Sequence, residues 1–221
     1  MTLYIAVIGD LIQSRQLKNR RAIQKELQEV LKMLNHKYED FIVSPFTLTI
    51  GDEFQVLLEV DGRLWELLDT LQISIPVPCR IGVGLGEIFT DINTEYSIGA
   101  DGDVFWHARD AIDRVHKNNW NGKSHVLFRG PDNRTDNILN SLLLAGETLK
   151  SEWTDLQQQT FAQMLDAGIY TSVFKQNDFA DAIGITNSSL SKRLNLGNIK
   201  VYLQLRETLS EVLESYYGNI E

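Results

Sequence analysis

The chain has 221 residues, 43% hydrophobic and 23% charged, with a formal net charge of −9. This mix describes a soluble globular protein with material for one or two cores. No apolar run approaches the roughly 20 residues that span a bilayer, and the acidic balance argues against a general polyanion binder.

The chain opens directly on a strand, without the basic stretch or cleavage pattern of a signal peptide. Cys79 is the only cysteine, so no intrachain disulfide forms, and a cytoplasmic location is expected. Leu3–Ile8 is a continuous apolar strand that runs into Gly9-Asp10. From Arg20 the period changes: Ile23, Leu27, Val30, Leu31 and Leu34 recur at helical spacing. Phe46–Ile50 and Phe54–Leu58 flank Gly51-Asp52, a tight-turn signal, because glycine takes positive φ without steric cost. Leu64, Trp65, Leu67, Leu68 and Leu71 predict a second helix, ended by Pro76 and Pro78. Arg80–Ile88 reads as a central strand thinned by Gly82, Gly84 and Gly86, which line one face and mark close approach of a ligand or another backbone. A helix over Asp103–His116 and a closing strand over Ser124–Phe128 follow.

This order is β-α-β-β-α-β, so the fold class is α+β with a ferredoxin-like N-terminal domain. The domain covers residues 1–135. In this topology strand one lies beside the hairpin, which makes Asp10 a neighbour of Asp52 and Glu53. Two or three carboxylates at one point suit a hard divalent cation such as Mg²⁺, which takes one or two carboxylates plus substrate phosphates. As isolated motifs, the same residues are ordinary turn acids. The polar stretch Gly130–Asn140 reads as a linker or surface excursion. His107, His116 and His125 show no metal-ligand spacing, and His107 is expected to pack with Trp106. Cys79, beside Pro78, is expected to be an inert core thiol.

Residues 150–221 read as a separate all-α domain. Trp153, Leu156, Phe161 and Leu165 predict a supporting helix, and Gln176–Leu194 reads as a helix-turn-helix. Ala180 falls at the helix contact, Gly184 at the turn, and Phe179, Ile183, Ile185, Leu190 and Leu194 supply the apolar contacts. Thr186 or Asn187 caps the second helix. In a DNA complex that helix enters the major groove and presents Asn187, Ser188, Ser189, Lys192 and Arg193. The charge works against this: residues 151–221 hold five Lys/Arg against nine Asp/Glu, a net of −4. Little is available to neutralise a phosphate backbone, so weak binding, binding only as a homodimer, and a protein-contact role all stay open. The final helix has apolar surface enough to pack the domain or to pair subunits.

The motifs also resemble known families. Asp10-Leu11-Ile12-Gln13-Ser14 is similar to the first metal-binding strand of class III nucleotidyl cyclases. Ile50-Gly51-Asp52-Glu53-Phe54 resembles the cyclase Gly-Asp hairpin and the GGDEF hairpin of diguanylate cyclases. Arg80–Ile88 resembles the following cyclase strand, and Gly102-Asp103-Val104 with Ala108-Arg109 resembles the helix that carries the cyclase Asn and Arg. Over its full length the chain resembles the SatD family, through Ile8-Gly9-Asp10, Asn19-Arg20 and Gly51–Gln55. That family is associated with bacterial acid tolerance, which implies a regulatory or stress role.

The cyclase resemblance implies a palm-like domain in which Mg²⁺ on Asp10, Asp52 and Glu53 clamps a nucleoside triphosphate. It places the backbone of Leu11, Ile12, Gln13 and Ser14 on the phosphates, and Arg109 as the catalytic group that stabilises developing charge. Departures from the pattern stand at the base-reading end. Phe105 occupies the Asn position, Leu48 the adenine-reading Lys position, Ile50 the first glycine of the GGDEF pair, and the Asp103–Val104 spacing is one residue short. Two functions follow: a nucleotide-and-Mg²⁺ sensor coupled to DNA, or a cyclase-like enzyme whose helical domain serves dimerisation or docking. A third reading is a remnant fold without a ligand.

Overall fold

The computed structural model describes residues 2–13, 19–49 and 51–218. Ser14 and Ile50, both named above, lie outside the described residues. The β-α-β-β-α-β order is present: β1 (Tyr4–Leu11), α1 (Arg20–Lys37), β2 (Ile42–Leu48), β3 (Glu53–Glu59), α2 (Leu64–Ser74) and β4 (Cys79–Gly86). It is followed by α3 (Asp103–Lys117) and β5 (Val126–Arg129). The sheet has five strands in the order β2-β3-β1-β4-β5. Its first four are antiparallel neighbours, and β5 is added parallel to β4 through the α3 crossover.

Alternation along β1 separates two cores. Ile5, Val7 and Leu11 join Leu27, Leu31 and Leu34 of α1 and Leu64, Leu67, Leu68 and Leu71 of α2 on one face. Ala6 and Ile8 face the other way, against Val104, Phe105, Ala108 and Ile112 of α3. The alternating glycines of β4 explain how close α3 comes. A Cβ at Gly82 would stand 2.2 Å from the Ala108 carbonyl oxygen, and one at Gly84 would stand 2.1 Å from that of Val104. The close approach is therefore made by a helix backbone.

The polar stretch expected as a linker is instead the start of a helix, α4 (Asn133–Ser151). Asp132 is its N-cap, accepting from the backbone N–H groups of Arg134 and Thr135. Exposed capping residues give a helix start the composition of a loop. Beyond it lie α5 (Asp155–Asp166), α6 (Gln176–Ala182), α7 (Asn187–Leu196) and α8 (Ile199–Tyr217). Trp153, Phe161, Phe179, Leu190, Leu194 and Tyr202 are in a second large cluster. Leu139 and Leu143 of α4 and Leu209 and Leu213 of α8 belong to the same core as α1, α2 and the sheet.

A buried carboxylate ties these helices to the sheet layer. Asp69, on the apolar helix α2, is fully buried. It accepts from Lys150 Nζ at 2.8 Å, Tyr170 Oη at 2.6 Å, Tyr202 Oη at 2.5 Å and Arg206 Nε at 3.0 Å. Arg206 Nη2 also reaches Asp69 Oδ1 at 3.1 Å and Glu147 Oε1 at 3.3 Å. Burial raises the Asp69 carboxyl, but Arg206 and Lys150 outweigh it and hold it well below the usual carboxylate range. Glu147 is also lowered, because His125, Lys150 and Arg206 together outweigh burial.

Both sheet edges are met by asparagine amides. On β2, Asn35 of α1 donates to the Phe46 carbonyl at 3.2 Å and accepts from its N–H at 2.7 Å. On β5, Asn140 of α4 donates to the Phe128 carbonyl at 2.9 Å and accepts from its N–H at 2.8 Å. β2 is also irregular, with register shifts on either side of Ser44 in its pairing with β3.

Three expectations follow for stability. Gly84→Ala forces the α3 backbone to move and should lower stability by about 1–3 kcal/mol. Gly146→Ala within α4, where the new Cβ is 3.4 Å from the Tyr202 ring, should be neutral or stabilising by up to about 1 kcal/mol. Denaturant midpoints compare the two. Asp69→Asn leaves Arg206 without its main partner and should cost about 3–5 kcal/mol. Because the folded carboxyl titrates below its unfolded value of about 3.9, the wild type keeps this contribution at neutral pH. It loses it as pH falls below about 5. Urea unfolding as a function of pH should therefore show an acid limb that is shallower in Asp69→Asn.

Candidate functional site

The register of three strands builds the site. Asp10 on β1 lies opposite Glu53 on β3 and opposite Arg80 on β4, so the three form one row across the sheet. Opposed residues in antiparallel strands share a face, and this is the face covered by α3. The row sits where β1 ends and β3 and β4 begin. The seat of α3 on the β4 glycines lays Arg109 and His116 over the row. They are seven residues apart, two helical turns, and therefore on the same side of the helix.

Each carboxylate of the row is held by an arginine, and Asp10 by His116 as well. Arg80 Nε donates to Asp10 Oδ1 at 2.9 Å, and Arg80 Nη2 approaches Oδ2 at 3.4 Å. His116 Nε2 lies 2.9 Å from Asp10 Oδ2, while its Nδ1 lies 2.8 Å from Arg80 Nη1. Arg109 grips Glu53 with a two-point fork at 2.7 and 2.9 Å. Its hydrogen bonds hold the Glu53 carboxyl below the usual range against the effect of burial, and Glu53 raises the Arg109 guanidinium in turn. The row stays open to solvent, with Asp10 and Arg80 about one-fifth exposed (20% and 22%).

Asp52 goes elsewhere. Gly51 takes φ +71°, the tight turn expected at the hairpin tip. There Asp52 stands 4.0 Å from Arg20 Nη2 at the start of α1, the helix on the opposite face of the sheet. The structure thus brings Asp10 and Glu53 into one row and turns Asp52 toward the α1 side. Among the described residues no group of three or more His, Cys, Asp or Glu side chains is arranged to hold a metal ion. Chemically the donors still fit Mg²⁺, a hard cation satisfied by one or two carboxylates when phosphates and water complete its shell. Asp10 and Glu53 are the residues of the row that would supply oxygen, and the ion would neutralise phosphate charge.

The remaining predicted residues fall into place around the row. The Ile12 N–H donates to the Pro78 carbonyl at 2.8 Å, so that amide is committed within the fold, and the Leu11 side chain is buried. Gln13 takes a left-handed φ of +56°. Phe105 is buried against Ala6, Ile8 and Leu57, so the Asn position of the cyclase pattern is a packing position here. His107 does not pack with Trp106 as expected: it turns its Nδ1 to the Leu85 carbonyl at 2.7 Å, while Trp106 pairs edge-on with Phe89. Burial pushes the Cys79 thiol up to about 12, as an inert core thiol requires.

The sequence gives Arg80, His116 and Arg20 no role beside these acids. Arg80 is two residues before Gly82 and so shares the glycine face, and His116 repeats Arg109 at heptad spacing. Both signals are present in the sequence once α3 is known to lie on that face.

In the helical part, α6 and α7 are joined by a short turn in which Gly184 has φ +71°. Thr186 caps α7 by accepting from the Ser189 N–H at 3.2 Å. Asn187, Ser188, Ser189 and Lys192 are exposed. Arg193 is partly buried, its Nη1 3.4 Å from Thr160 Oγ1. Gln176 ties α6 to α7 by donating to Asn187 Oδ1 at 2.7 Å and to Ser191 Oγ at 2.5 Å.

The SatD family matches residues 4–213. The chain belongs to the SatD family. Two solved structures similar to this SatD-family chain are described as a bacterial light-regulated adenylyl cyclase. One has 12% identity and a TM-score of 0.42, covering 57% of this chain and 75% of that one. The other has 12% identity and a TM-score of 0.39, covering 57% and 43%. No curated protein sequence matches. No helix among the described residues is long and apolar enough to cross a membrane.

The packing of Phe105 generates a direct test. Phe105→Asn, which restores the residue of the cyclase pattern, places an amide in an apolar layer. It should lower stability by about 3 kcal/mol, measured by chemical denaturation.

Proposed function

We propose that this SatD-family chain binds a nucleoside triphosphate with Mg²⁺ at the Glu53–Asp10–Arg80 row and reports occupancy to DNA through its C-terminal helices. The observation that carries the reading is the composition of the row. Carboxylates suited to a hard cation and arginines suited to phosphate oxygens meet at one solvent-facing strand end. Asp10 supplies a metal ligand, joined by Glu53 when Arg109 turns to phosphate, and Asp52, turned toward Arg20, stays outside the row. Arg80 and Arg109 supply the countercharge for the phosphates. With Phe105 packed in the core and Leu48 in the lysine position, base recognition by the cyclase pattern is not supported, so the phosphates carry the affinity.

Titration calorimetry of ATP and GTP, with and without Mg²⁺, tests the site. Wild type should give metal-dependent heat, and Asp10→Ala should weaken binding tenfold or more. Absence of heat with both nucleotides would overturn the reading.

DNA contact is supported by the pairing of α6 and α7 across a short turn, with its left-handed Gly184, its Thr186 cap and the exposed start of α7. The cationic supply is smaller than the composition suggests. Arg206 is buried on Asp69, and Lys200 lies over the Phe174 ring at 5.3 Å. DNA affinity should therefore fall with salt at a log–log slope no steeper than about −4 per protomer. Lys192→Ala should make it shallower by about 1, as read by fluorescence anisotropy across a salt series. A family-level role in stress or acid tolerance fits a regulator of this design.

The second reading is a cyclase-like enzyme, favoured by the position of Arg109 over the carboxylate row. In that case Asp52→Asn abolishes product, whereas in a sensor it alters only nucleotide or DNA binding.

A further inference from the structure

The connection from β4 to α3, residues 87–102, is far longer than a simple turn needs, and loops of that length without secondary structure are usually functional. It is held in place by both edge-side strands. Gln55 on β3 donates to the Ser97 carbonyl, and Ser97 Oγ donates back to the Gln55 carbonyl at 3.0 Å. Ser44 on β2 donates to the Asn93 carbonyl, and the Phe89 N–H donates to the Asp101 carbonyl at 2.9 Å. On this anchored frame Phe89, Tyr96 and Ile98 are exposed, together with Trp106 near the start of α3.

A single exposed apolar side chain is ordinary. Here the Trp106 ring is also fixed: its Nε1 donates to Asp101 Oδ1 at 2.8 Å, and it meets Phe89 edge-on with centroids 5.7 Å apart. Trp106 nevertheless stays 55% exposed and Phe89 56%. Two large rings are thus ordered by the fold and left facing water. Rings whose ordering is already complete lose little entropy on contact and are suited to anchor an interface.

The charge around them has one sign. Residues 87–103 contain Glu87, Asp91, Glu95, Asp101 and Asp103 and no Lys or Arg. None of the five is in an ion pair among the described residues. Arg109, the first arginine or lysine along α3, is bound to Glu53. A cationic partner is therefore favoured, whereas nucleic acid and anionic lipid are repelled.

We propose that this face docks a basic amphipathic segment of a partner protein, its apolar side chains on Phe89 and Trp106 and its lysines or arginines toward Asp91 and Glu95. The loop leaves β4 at Gly86, the opposite end of the strand from Arg80, so docking is independent of nucleotide binding at the row.

The experiment titrates the full chain into a labelled model helix of leucine and lysine, followed by fluorescence anisotropy. A leucine–glutamate helix and a serine–lysine peptide are the charge-reversed and apolar-free controls. Saturable binding with a Kd of about 10–100 μM is expected for a small contact, weakening as salt is raised. Trp106→Ser should weaken it fivefold or more with the melting temperature kept, and so should Asp91→Asn combined with Glu95→Gln. The proposal is overturned if the leucine–lysine helix does not bind saturably, if either control binds as well, or if Trp106→Ser retains full affinity. A dimer in analytical ultracentrifugation that Trp106→Ser dissociates would also overturn it, because a second copy then occupies the face.

Discussion

The arrangement of this protein depends on a helix resting its backbone directly on a strand. Gly82 and Gly84 remove the side chains that would hold α3 off β4, and Gly86 continues the bare strip to the Asp103–Val104 helix start. That contact fixes more than a packing distance. Because α3 is rigid and seated along a continuous strip, the positions of Arg109 and His116 over the strand ends are set by the register of β4. Larger residues on the strip would raise the helix and separate both side chains from Asp10 and Glu53. The packing of the apolar layer and the electrostatics of the row are thus two outcomes of one steric condition.

A second constraint governs the other half of the molecule. A fully buried carboxylate is tolerated when paired and hydrogen-bonded on all sides, and Asp69 meets that condition with groups drawn from α4, α8 and the Tyr170 segment. No one of these elements could satisfy it alone. The charges of Asp69, Glu147, Lys150 and Arg206 balance within the network, so the interface is specified by hydrogen-bond geometry as well as by apolar area. Hydrophobic contacts of Leu209 and Leu213 supply burial, and the polar network selects the orientation in which that burial occurs.

Much of this was legible in the sequence because period and punctuation agree. The strand-helix order, the Gly51-Asp52 turn, the β4 glycines and the Gly184 turn are local signals, and local signals survive without tertiary context. What was missed depends on partners distant in the chain. Asp69 reads as one polar residue in a leucine-rich helix, and nothing nearby announces Arg206. Arg80 and His116 acquire meaning only through a register that joins β1, β4 and α3. The stretch after Gly130 misled for a different reason, since Asp132 and its neighbours are turn formers in a loop and cap formers at a helix start. At the row, the sequence revealed the acids and Arg109 but not Arg80 and His116, the two groups that hold Asp10.

The two edge asparagines have a consequence for how this molecule can associate. A sheet ordinarily ends in unsatisfied amides that can recruit another strand. Here Asn35 and Asn140 each present a side-chain amide to one edge residue, supplying one donor and one acceptor as a neighbouring backbone would. Each acts as a single-residue mimic of the next strand, borrowed from a helix that is already anchored in the core. A second copy approaching edge-on would have to displace both bonds at that residue and dislodge the asparagine from its place. Continuous intermolecular sheets are disfavoured at these two points, and self-association is directed toward helical and loop surfaces.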